Sequence, residues 1–400
     1  MKILMINKFL HANGGSETYM MRLGQYLSEC GHVVEYFGME HENRCVGNSS
    51  DSYTTNMDFH SGTFISKLSY PFKTIYSSEA RKKLRTVLDN LKPDVVHVNN
   101  FNYQLTPSII LELAKWKKSG NKCRIIYTAH DLQLVCPNHM CRNPITNTNC
   151  EKCLGGHYIN CIKGKCIHNS TARSIIGAAE SFIWHRKKVY RHFDKVICCS
   201  HFLKSRLDTL PELNAKTVVM HNFVNVDKRN VFYDKQNYIL YFGRFSKEKG
   251  VGTLLEACKE LPEINFVFAG NGPLEERINN LPNVKNIGFI QGEKLERLIS
   301  EALFSVCPSE WYENCPFSVI ESQMLGTPVL GADIGGIPEI IDDAETGELF
   351  SSGDTFDLKQ KINKLWNDKQ LLSRYSENCR KKSFDSIDDY TQNLIQIYTG

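Results

Sequence analysis

Two carboxylates eight positions apart, Glu313 and Glu321, bracket the run Ser309-Glu310-Trp311-Tyr312-Glu313-Asn314-Cys315-Pro316-Phe317-Ser318-Val319-Ile320-Glu321. The preceding Phe304-Ser305-Val306-Cys307-Pro308 has the apolar character of a short buried strand, and Pro316 stands where a first helical turn accepts proline. A helix from 316 to about 325 would turn its free N–H groups toward the loop that carries Glu313, a place that favours an anion such as a diphosphate. Glu321, about one and a half turns along, could then reach a ribose diol, and Glu313 a sugar hydroxyl. An ordinary surface helix with two solvated carboxylates shows the same pair, and a two-point spacing does not separate the two readings.

Other strand ends carry residues suited to phosphates and sugars. Asn7-Lys8-Phe9-Leu10-His11-Ala12-Asn13-Gly14-Gly15-Ser16-Glu17 leads into a helix with Tyr19, Met20, Leu23 and Leu27 on one face. Gly14 and Gly15 let backbone approach a ligand closely, although Gly-Gly is also simple turn chemistry. His130 ends Arg124-Ile125-Ile126-Tyr127-Thr128-Ala129 and is followed by Asp131, while His97 ends Asp94-Val95-Val96. A lone histidine is more often a satisfied structural residue than a catalyst, and His97 is read that way. In Gly243-Arg244-Phe245-Ser246-Lys247-Glu248-Lys249-Gly250 a planar guanidinium and a compact ammonium could converge on two linked phosphates, with a surface charge cluster as the alternative. Phe268-Ala269-Gly270-Asn271-Gly272-Pro273 lacks the third glycine of a dinucleotide fingerprint, which argues against nicotinamide binding.

With Gly326-Thr327-Pro328-Val329 and Gly335-Gly336-Ile337-Pro338-Glu339, the Glu313 segment resembles the glutamate-x7-glutamate signature of the retaining GT-B glycosyltransferases of family 4. The resemblance runs over nearly the whole chain and is strongest over 238–350. It implies an α/β protein of GT-B type, with two Rossmann-like parallel-sheet domains facing a central cleft. It implies a nucleotide-diphosphate sugar as donor, bound mainly by the second domain, and a glycan or polyprenyl-linked acceptor bound mainly by the first. Transfer would proceed with retention and without a catalytic metal, in polysaccharide or glycoconjugate assembly. The catalytic set it implies is His130 near the reacting sugar, Glu313 at the transferred sugar, and Arg244 and Lys249 at the diphosphate, with Lys247 left to solvent. Its donor-binding set is Gly14 and Gly15 under the diphosphate, Gly243, Gly272 beside the nucleotide, and Asn314, Cys315, Pro316, Phe317, Ser318 and Val319, with Glu321 at the ribose. Asn99 or Asn100 could reach acceptor hydroxyls. A sugar-nucleotide epimerase of the same fold would need further acid/base groups that the sequence does not display, and a non-catalytic sugar-nucleotide sensor is the other alternative.

These residues need elements to hold them. Short β-rich runs alternate with helix-length segments, the pattern of parallel sheets covered on both faces. Strands are expected at 2–7, 33–38, 94–99, 124–129, 195–200 and 217–222, then at 238–243, 265–270, 284–289, 303–307, 328–332 and 348–350. The polar stretch 224–236 reads as a linker, giving an acceptor-side domain over 1–226 and a donor domain over 227–385. Residues 386–400 form a one-sided helix, with Ile387, Tyr390, Leu394, Ile395 and Tyr398, suited to packing back on the first domain.

At 400 residues, 42% hydrophobic and 23% charged, the chain is neither disordered nor confined to one core, and it has no apolar run of bilayer length. A formal charge of +4 is too small to imply nucleic acid. The first strand is too short for a signal peptide, so a cytoplasmic location is expected; the basic, aromatic stretch 180–193 could lie on an anionic membrane at its inner face or be an ordinary amphipathic core helix, and Arg81-Lys82-Lys83-Leu84-Arg85 is a second basic cluster in the same domain. Fifteen cysteines would be unusual as disulfides in that compartment. Six of them, Cys136, Cys141, Cys150, Cys153, Cys161 and Cys166, fall in a non-periodic insertion over 132–170. The spacing Cys150-Glu-Lys-Cys153 suits a structural zinc, with His139, His157 and His168 as completing ligands; free thiols and disulfides are the alternatives.

Overall fold

Apolar, β-branched runs form the strands of the first half: β1 (Lys2–Ile6), β2 (Val33–Phe37), β3 (Val95–Val98), β4 (Arg124–Ala129), the two-residue β5 (Arg142–Asn143) and β6 (Thr148–Asn149), β7 (Lys195–Cys198) and β8 (Thr217–Val219). The second half contributes β9 (Gln236–Phe242), β10 (Phe266–Ala269), β11 (Val284–Asn286), β12 (Ala302–Cys307), β13 (Val329–Ala332) and β14 (Gly347–Phe350). The computed structural model describes residues 1–56, 73–224 and 234–400. All twelve expected strands are present. They form two six-stranded sheets, ordered β2-β1-β3-β4-β7-β8 and β11-β10-β9-β12-β13-β14, and every pairing within them is parallel.

The chain divides into two compact units, Met1–His221 with Ile387–Gly400, and Asn222–Ser386. Most of the expected linker, and with it the boundary at 226, lies outside the described residues. In the first unit β1 is the central strand, with Ile3, Leu4, Met5 and Ile6 fully buried between β2 and β3. Chain order runs outward from β1 to β2 on one side and resumes at β3 on the other, so the strand order reverses between β1 and β3. In the second unit the same reversal falls between β9 and β12. A crevice opens beyond the carboxyl ends of two such strands, which is where sheets of this kind bind ligands.

Helices complete each unit. Helix Gly15–Glu29 buries Tyr19, Met20, Leu23 and Leu27, the face expected from the sequence. Helix Ile387–Thr399 buries Tyr390, Thr391, Leu394 and Tyr398, a stripe at helical spacing. It meets helix Gly15–Glu29 and β4, and Tyr26 donates to Asp388 Oδ1 at 2.9 Å. In the second unit the Lys235 ammonium donates to Ser300 O, Gly326 O and Thr327 Oγ1 at 2.7, 3.0 and 2.8 Å, joining the start of β9 to the turn before β13. The insertion after β4 contains the β5–β6 hairpin and the short helix Ile159–Lys163, and leads into helix Thr171–Arg186, where the Ser170 hydroxyl accepts from Arg173 N.

Leu394 is fully buried on the last helix. Leu394→Ala should therefore cost about 2–5 kcal/mol, read as a lower urea midpoint at unchanged slope. A loss below about 0.5 kcal/mol would mean that this helix adds little to the first unit's stability.

Candidate functional site

In the second unit the loops after β9 and β12 converge on Glu313. Its carboxylate is 8% exposed, and Oε1 receives the Lys249 ammonium at 2.5 Å, the Ser309 hydroxyl at 2.8 Å and the Trp311 indole N–H at 2.8 Å. The Lys249 ammonium also lies 5.0 Å from the centre of the Trp311 ring. Burial alone would raise the carboxyl's pKa and lower the ammonium's, but their mutual attraction prevails, holding Glu313 below and Lys249 above the ordinary ranges. Both are charged at neutral pH. The ammonium expected at a diphosphate is thus paired with a carboxylate through one of its three donors, because a carboxylate this buried needs a counter-charge.

Backbone packing sets this geometry. The Glu248 carbonyl accepts from Glu310 N at 3.0 Å and Trp311 N at 3.2 Å. Gly250 has φ +70°, and a Cβ there would stand 1.6 Å from the Pro308 carbonyl oxygen, so only glycine lets the two loops close. Gly335, with φ +62°, has the same requirement, since a Cβ there would stand 2.2 Å from the Glu313 carbonyl oxygen, and the next amide, Gly336 N, donates to that carbonyl at 2.7 Å. From the far end of the unit's sequence, Asn222 Nδ2 donates to the Cys315 carbonyl at 2.8 Å. Ser309, Trp311 and Asn222 received no role from sequence reasoning. The first two sit within the run that was singled out, whereas a bond spanning 93 residues leaves no local signal.

Helix Phe317–Met324 begins one residue later than the sequence suggested, with Pro316 as its extended N-cap, and no side chain caps its first turn. Phe317, Ser318 and Glu321 are half-buried, as is Asn314, while Cys315 and Val319 are buried. Arg244 is exposed, and among the described residues its side chain makes no ion pair. Its carbonyl accepts from the Tyr241 hydroxyl at 2.8 Å. Gly243 N donates to Ala269 O at 3.0 Å and Phe245 N to Asn271 O at 2.7 Å, so the Gly243–Arg244 turn is knit to the Gly270-Asn271-Gly272 turn. The structure joins Lys249 to Glu313 directly and leaves Arg244 outside that pair.

In the first unit, the ends of β1 and β3 are held by side-chain amides. Asn7 Nδ2 donates to Phe9 O and to the buried Glu17 carboxylate at 2.8 and 2.9 Å, and Asn7 Oδ1 accepts from Asn100 N at 2.9 Å. Asn100 Nδ2 reaches the Ser16 hydroxyl at 2.9 Å. Glu17 therefore braces the loop, while Gly14 and Gly15 at the start of the helix are exposed. His130 Nε2 lies 2.8 Å from Asn99 Oδ1, which makes Nε2 the protonated nitrogen of a neutral ring. Below it, His97 is fully buried between the Tyr398 hydroxyl and Thr128 Oγ1, both at 2.6 Å. Tyr19 joins the Tyr390 hydroxyl at 2.7 Å and presents its ring to His130 at 4.9 Å.

The expected zinc is corrected. Among the described residues no three cysteine, histidine or carboxylate side chains are placed to hold a metal ion, and Cys136, Cys141, Cys150, Cys153, Cys161 and Cys166 are free thiols. A small satellite core orders the loop instead, with Cys153 and Cys161 packed on Tyr158 and Ala178 and flanked by Ile162, Cys166 and Ile167. Cys136 Sγ donates to Asn138 Oδ1 at 2.9 Å. Burial pushes the Cys153 thiol up to about 12. In the second basic cluster Lys82 and Lys83 are exposed and the two arginines are paired. Arg81 is spent on Glu112 at 2.6 Å, and Arg85 on Asp89 at 2.9 Å.

Two measurements check this description. Denatured, unreduced protein should titrate fifteen thiols with a disulfide-exchange reagent, and a deficit of two or more would restore cross-linking. Burial lowers His97, His130 and His139 to about 3. Their contribution to stability is complete above the unfolded value of about 6.5 and is lost as the pH falls toward about 3. The Asp131 carboxyl, raised by burial to about 6, opposes them. Between about pH 7 and about pH 4 the wild type should lose more unfolding free energy than His97→Gln, which lacks one of the three neutral rings. Equal losses would contradict the assignment.

Comparisons with known proteins agree on one family. The profile of Glycosyltransferase Family 4 matches residues 13–228, and that of Glycosyl transferases group 1 matches residues 224–382. An uncharacterized glycosyltransferase of Methanocaldococcus jannaschii is 30% identical over 198 residues, 48% of this chain and 54% of that protein. The sulfoquinovosyl transferase of Arabidopsis thaliana is 34% identical over 36% of this chain, so the chain spans about half or less of these relatives' length, 29% for the plant protein. The N-acetyl-alpha-D-glucosaminyl L-malate synthase of Bacillus anthracis is 23% identical over 94% of this chain and 90% of its own. Among solved structures, sucrose-phosphate synthase of Thermosynechococcus elongatus superposes with TM-score 0.70 at 18% identity, over 100% of this chain and 98% of that one. HepE of Anabaena, solved with UDP, gives 0.68 at 16% over the whole of both chains.

Proposed function

The chain belongs to glycosyltransferase family 4 and has the GT-B fold, and from that premise we propose that it transfers a sugar from a nucleotide-diphosphate donor to a hydroxyl of a glycan or polyprenyl-linked acceptor. The reading includes retention of anomeric configuration, a place in polysaccharide or glycoconjugate assembly, and work at the cytoplasmic face of a membrane. The observation that carries it is the ionised Glu313–Lys249 pair at the strand reversal of the second unit, beside a helix start with no side-chain cap.

Each residue has a part in this reading. Arg244, Lys249 and the first N–H groups of helix Phe317–Met324 hold the donor diphosphate. Charge-assisted contacts of this kind contribute about 1.5–3 kcal/mol each, and more as negative charge develops on the leaving group. Glu321 takes the ribose hydroxyls, and Gly243 and Gly272 lie beside the nucleotide. Glu313 accepts from a hydroxyl of the transferred sugar and orients it, rather than attacking C1. The neutral His130, its Nε2–H held on Asn99, offers Nδ1 as a hydrogen-bond acceptor near the reacting sugar. The acceptor oxygen bonds to C1 on the face that the diphosphate leaves, the C1–O bond to phosphate breaks with its electron pair, and the acceptor's proton passes to the departing phosphate oxygen. Arg244 and Lys249 supply the positive charge, so the reading requires no divalent ion.

A panel of sugar nucleotides tests it, beginning with uridine nucleotides because HepE was solved with UDP. Release of the nucleoside diphosphate with a new glycosidic bond, undiminished by a chelator, is expected. A new sugar epimer would point to an epimerase, and thermal stabilisation without turnover to a sensor. Glu313→Gln and Lys249→Ala should each lower turnover at least about a hundredfold, a loss of about 2.7 kcal/mol of transition-state stabilisation. Near-normal turnover in both would sink the site assignment.

A further inference from the structure

Two of the insertion's free thiols are brought together by the way a short helix ends. Helix Ile159–Lys163 stops at Gly164, Lys165 turns left-handed at φ +45°, and the amides of Lys165 and Cys166 donate back to Ile162 O and Cys161 O, both at 3.1 Å. These are the two nested bonds of a Schellman turn, in which the residues joined by the outer bond usually also touch through apolar side chains. Here both of those residues are cysteines.

The thiols of Cys161 and Cys166 hydrogen-bond to each other. A Cβ on Gly164 would lie 2.8 Å from Cys166 Sγ, so the absent side chain clears the space into which that sulfur folds. Access separates the two, since Cys161 is 1% exposed while Cys166 is half-buried and open to a small molecule. Cys136 and Cys141 make a second thiol contact, but at 6% and 1% exposure both are sealed.

We propose that Cys161 and Cys166 are a dithiol site for thiol–disulfide exchange, which takes a small oxidised thiol such as glutathione disulfide and closes to an intramolecular disulfide. The Cys166 sulfur, its proton lost, attacks one sulfur of the co-reactant and expels a thiolate. The Cys161 sulfur, likewise deprotonated, then attacks Cys166 Sγ, the mixed disulfide breaks, and a second thiolate leaves. Two protein thiols are oxidised, one disulfide is reduced to two thiols, and the two protons end on the departing sulfurs. Burial raises both protein thiols, so exchange is slow at neutral pH and quickens as the pH rises.

Closure has a structural consequence next in sequence. Ile167 N donates to Ser174 Oγ at 3.1 Å, and a Cβ on Gly177 would lie 2.3 Å from Ile167 Cδ1, so the residue after Cys166 is already seated on helix Thr171–Arg186. The bond would clip the short helix to the long one. The proposal does not depend on the donor chemistry above.

Mass mapping tests it, with the folded, reduced full chain incubated with glutathione disulfide, alkylated and cut with trypsin. Cleavage after Lys152, Lys163, Lys165 and Arg173 should release fragment 153–163 joined to fragment 166–173, and dithiothreitol should part them. Because the first fragment also holds Cys153, Cys153→Ala should keep the link, whereas Cys161→Ala should lose it and retain glutathione on Cys166. Cys166→Ser, at the half-buried position, should leave Cys161 unmodified, and it decides the matter if the buried replacement does not fold. A wild type that keeps glutathione on Cys166 without the link, or stays unmodified there, would overturn the proposal and leave the contact as packing alone. A link that survives Cys161→Ala, or glutathione on Cys161 in Cys166→Ser, would overturn it as well.

Discussion

Parallel strands cannot be joined by tight turns, so within each six-stranded sheet successive strands are linked by crossovers that carry the chain back to the end at which the strands start. Every strand therefore ends at one side, and where the strand order reverses, two neighbouring loops must leave in opposite directions. That constraint places Asn7, Asn99 and Asn100 together in the first unit, and Lys249 and Glu313 together in the second. The sheets supply position but almost no chemistry. Their strands are mostly apolar through the core, and the residues proposed for chemistry lie in the loops beyond the strand ends.

The two units use this position differently. The second holds a pair of full charges, Lys249 and Glu313, with the carboxylate almost excluded from water. Such a pair is costly to desolvate and is sustained here by two further donors, Ser309 and Trp311, on the same oxygen. A carboxylate held in this way keeps its charge and its orientation without relying on solvent. The histidines of the first unit stay neutral. Burial holds His97 and His130 as uncharged imidazoles, and their partners are hydroxyls and an amide rather than carboxylates. Fixed charge where a diphosphate is proposed, and neutral hydrogen-bonding groups where sugar hydroxyls are proposed, is a consistent division.

The strands were legible because a strand buried on both faces reads as a continuous apolar run, and each expected run is found within two or three residues of its place. The strand-end residues followed from them. What stayed hidden depended on contacts between distant segments. Lys249 could be picked out as a cation at a helix start, but its commitment to Glu313 comes from Gly250 closing on Pro308, a contact between loops nearly sixty residues apart in sequence. Asn222 gives no sign locally of holding the Cys315 carbonyl. The insertion misled for another reason. Cysteine spacing that suits a metal also suits a small apolar core, because a protonated cysteine packs as a hydrophobe, and only the placement of Tyr158 and Ala178 separates the two.

The last helix shows how far such long-range dependence extends. His97 and Tyr19 are buried beneath His130, and each takes a hydrogen bond from beyond the first 221 residues. His97 Nδ1 meets the Tyr398 hydroxyl, and the Tyr19 hydroxyl, which also lies 3.4 Å from Thr128 Oγ1, meets that of Tyr390. Phenol hydroxyls suit this task, since each both donates and accepts and so can match a neutral imidazole in either tautomer. Leaving such groups unpaired would cost about 1–3 kcal/mol apiece, so the floor beneath His130 is complete only when residues 387–400 are in place. A neutral, oriented His130 is on this account a property of both ends of the sequence, and the chain's crossing out to the second unit and back is part of what builds the first.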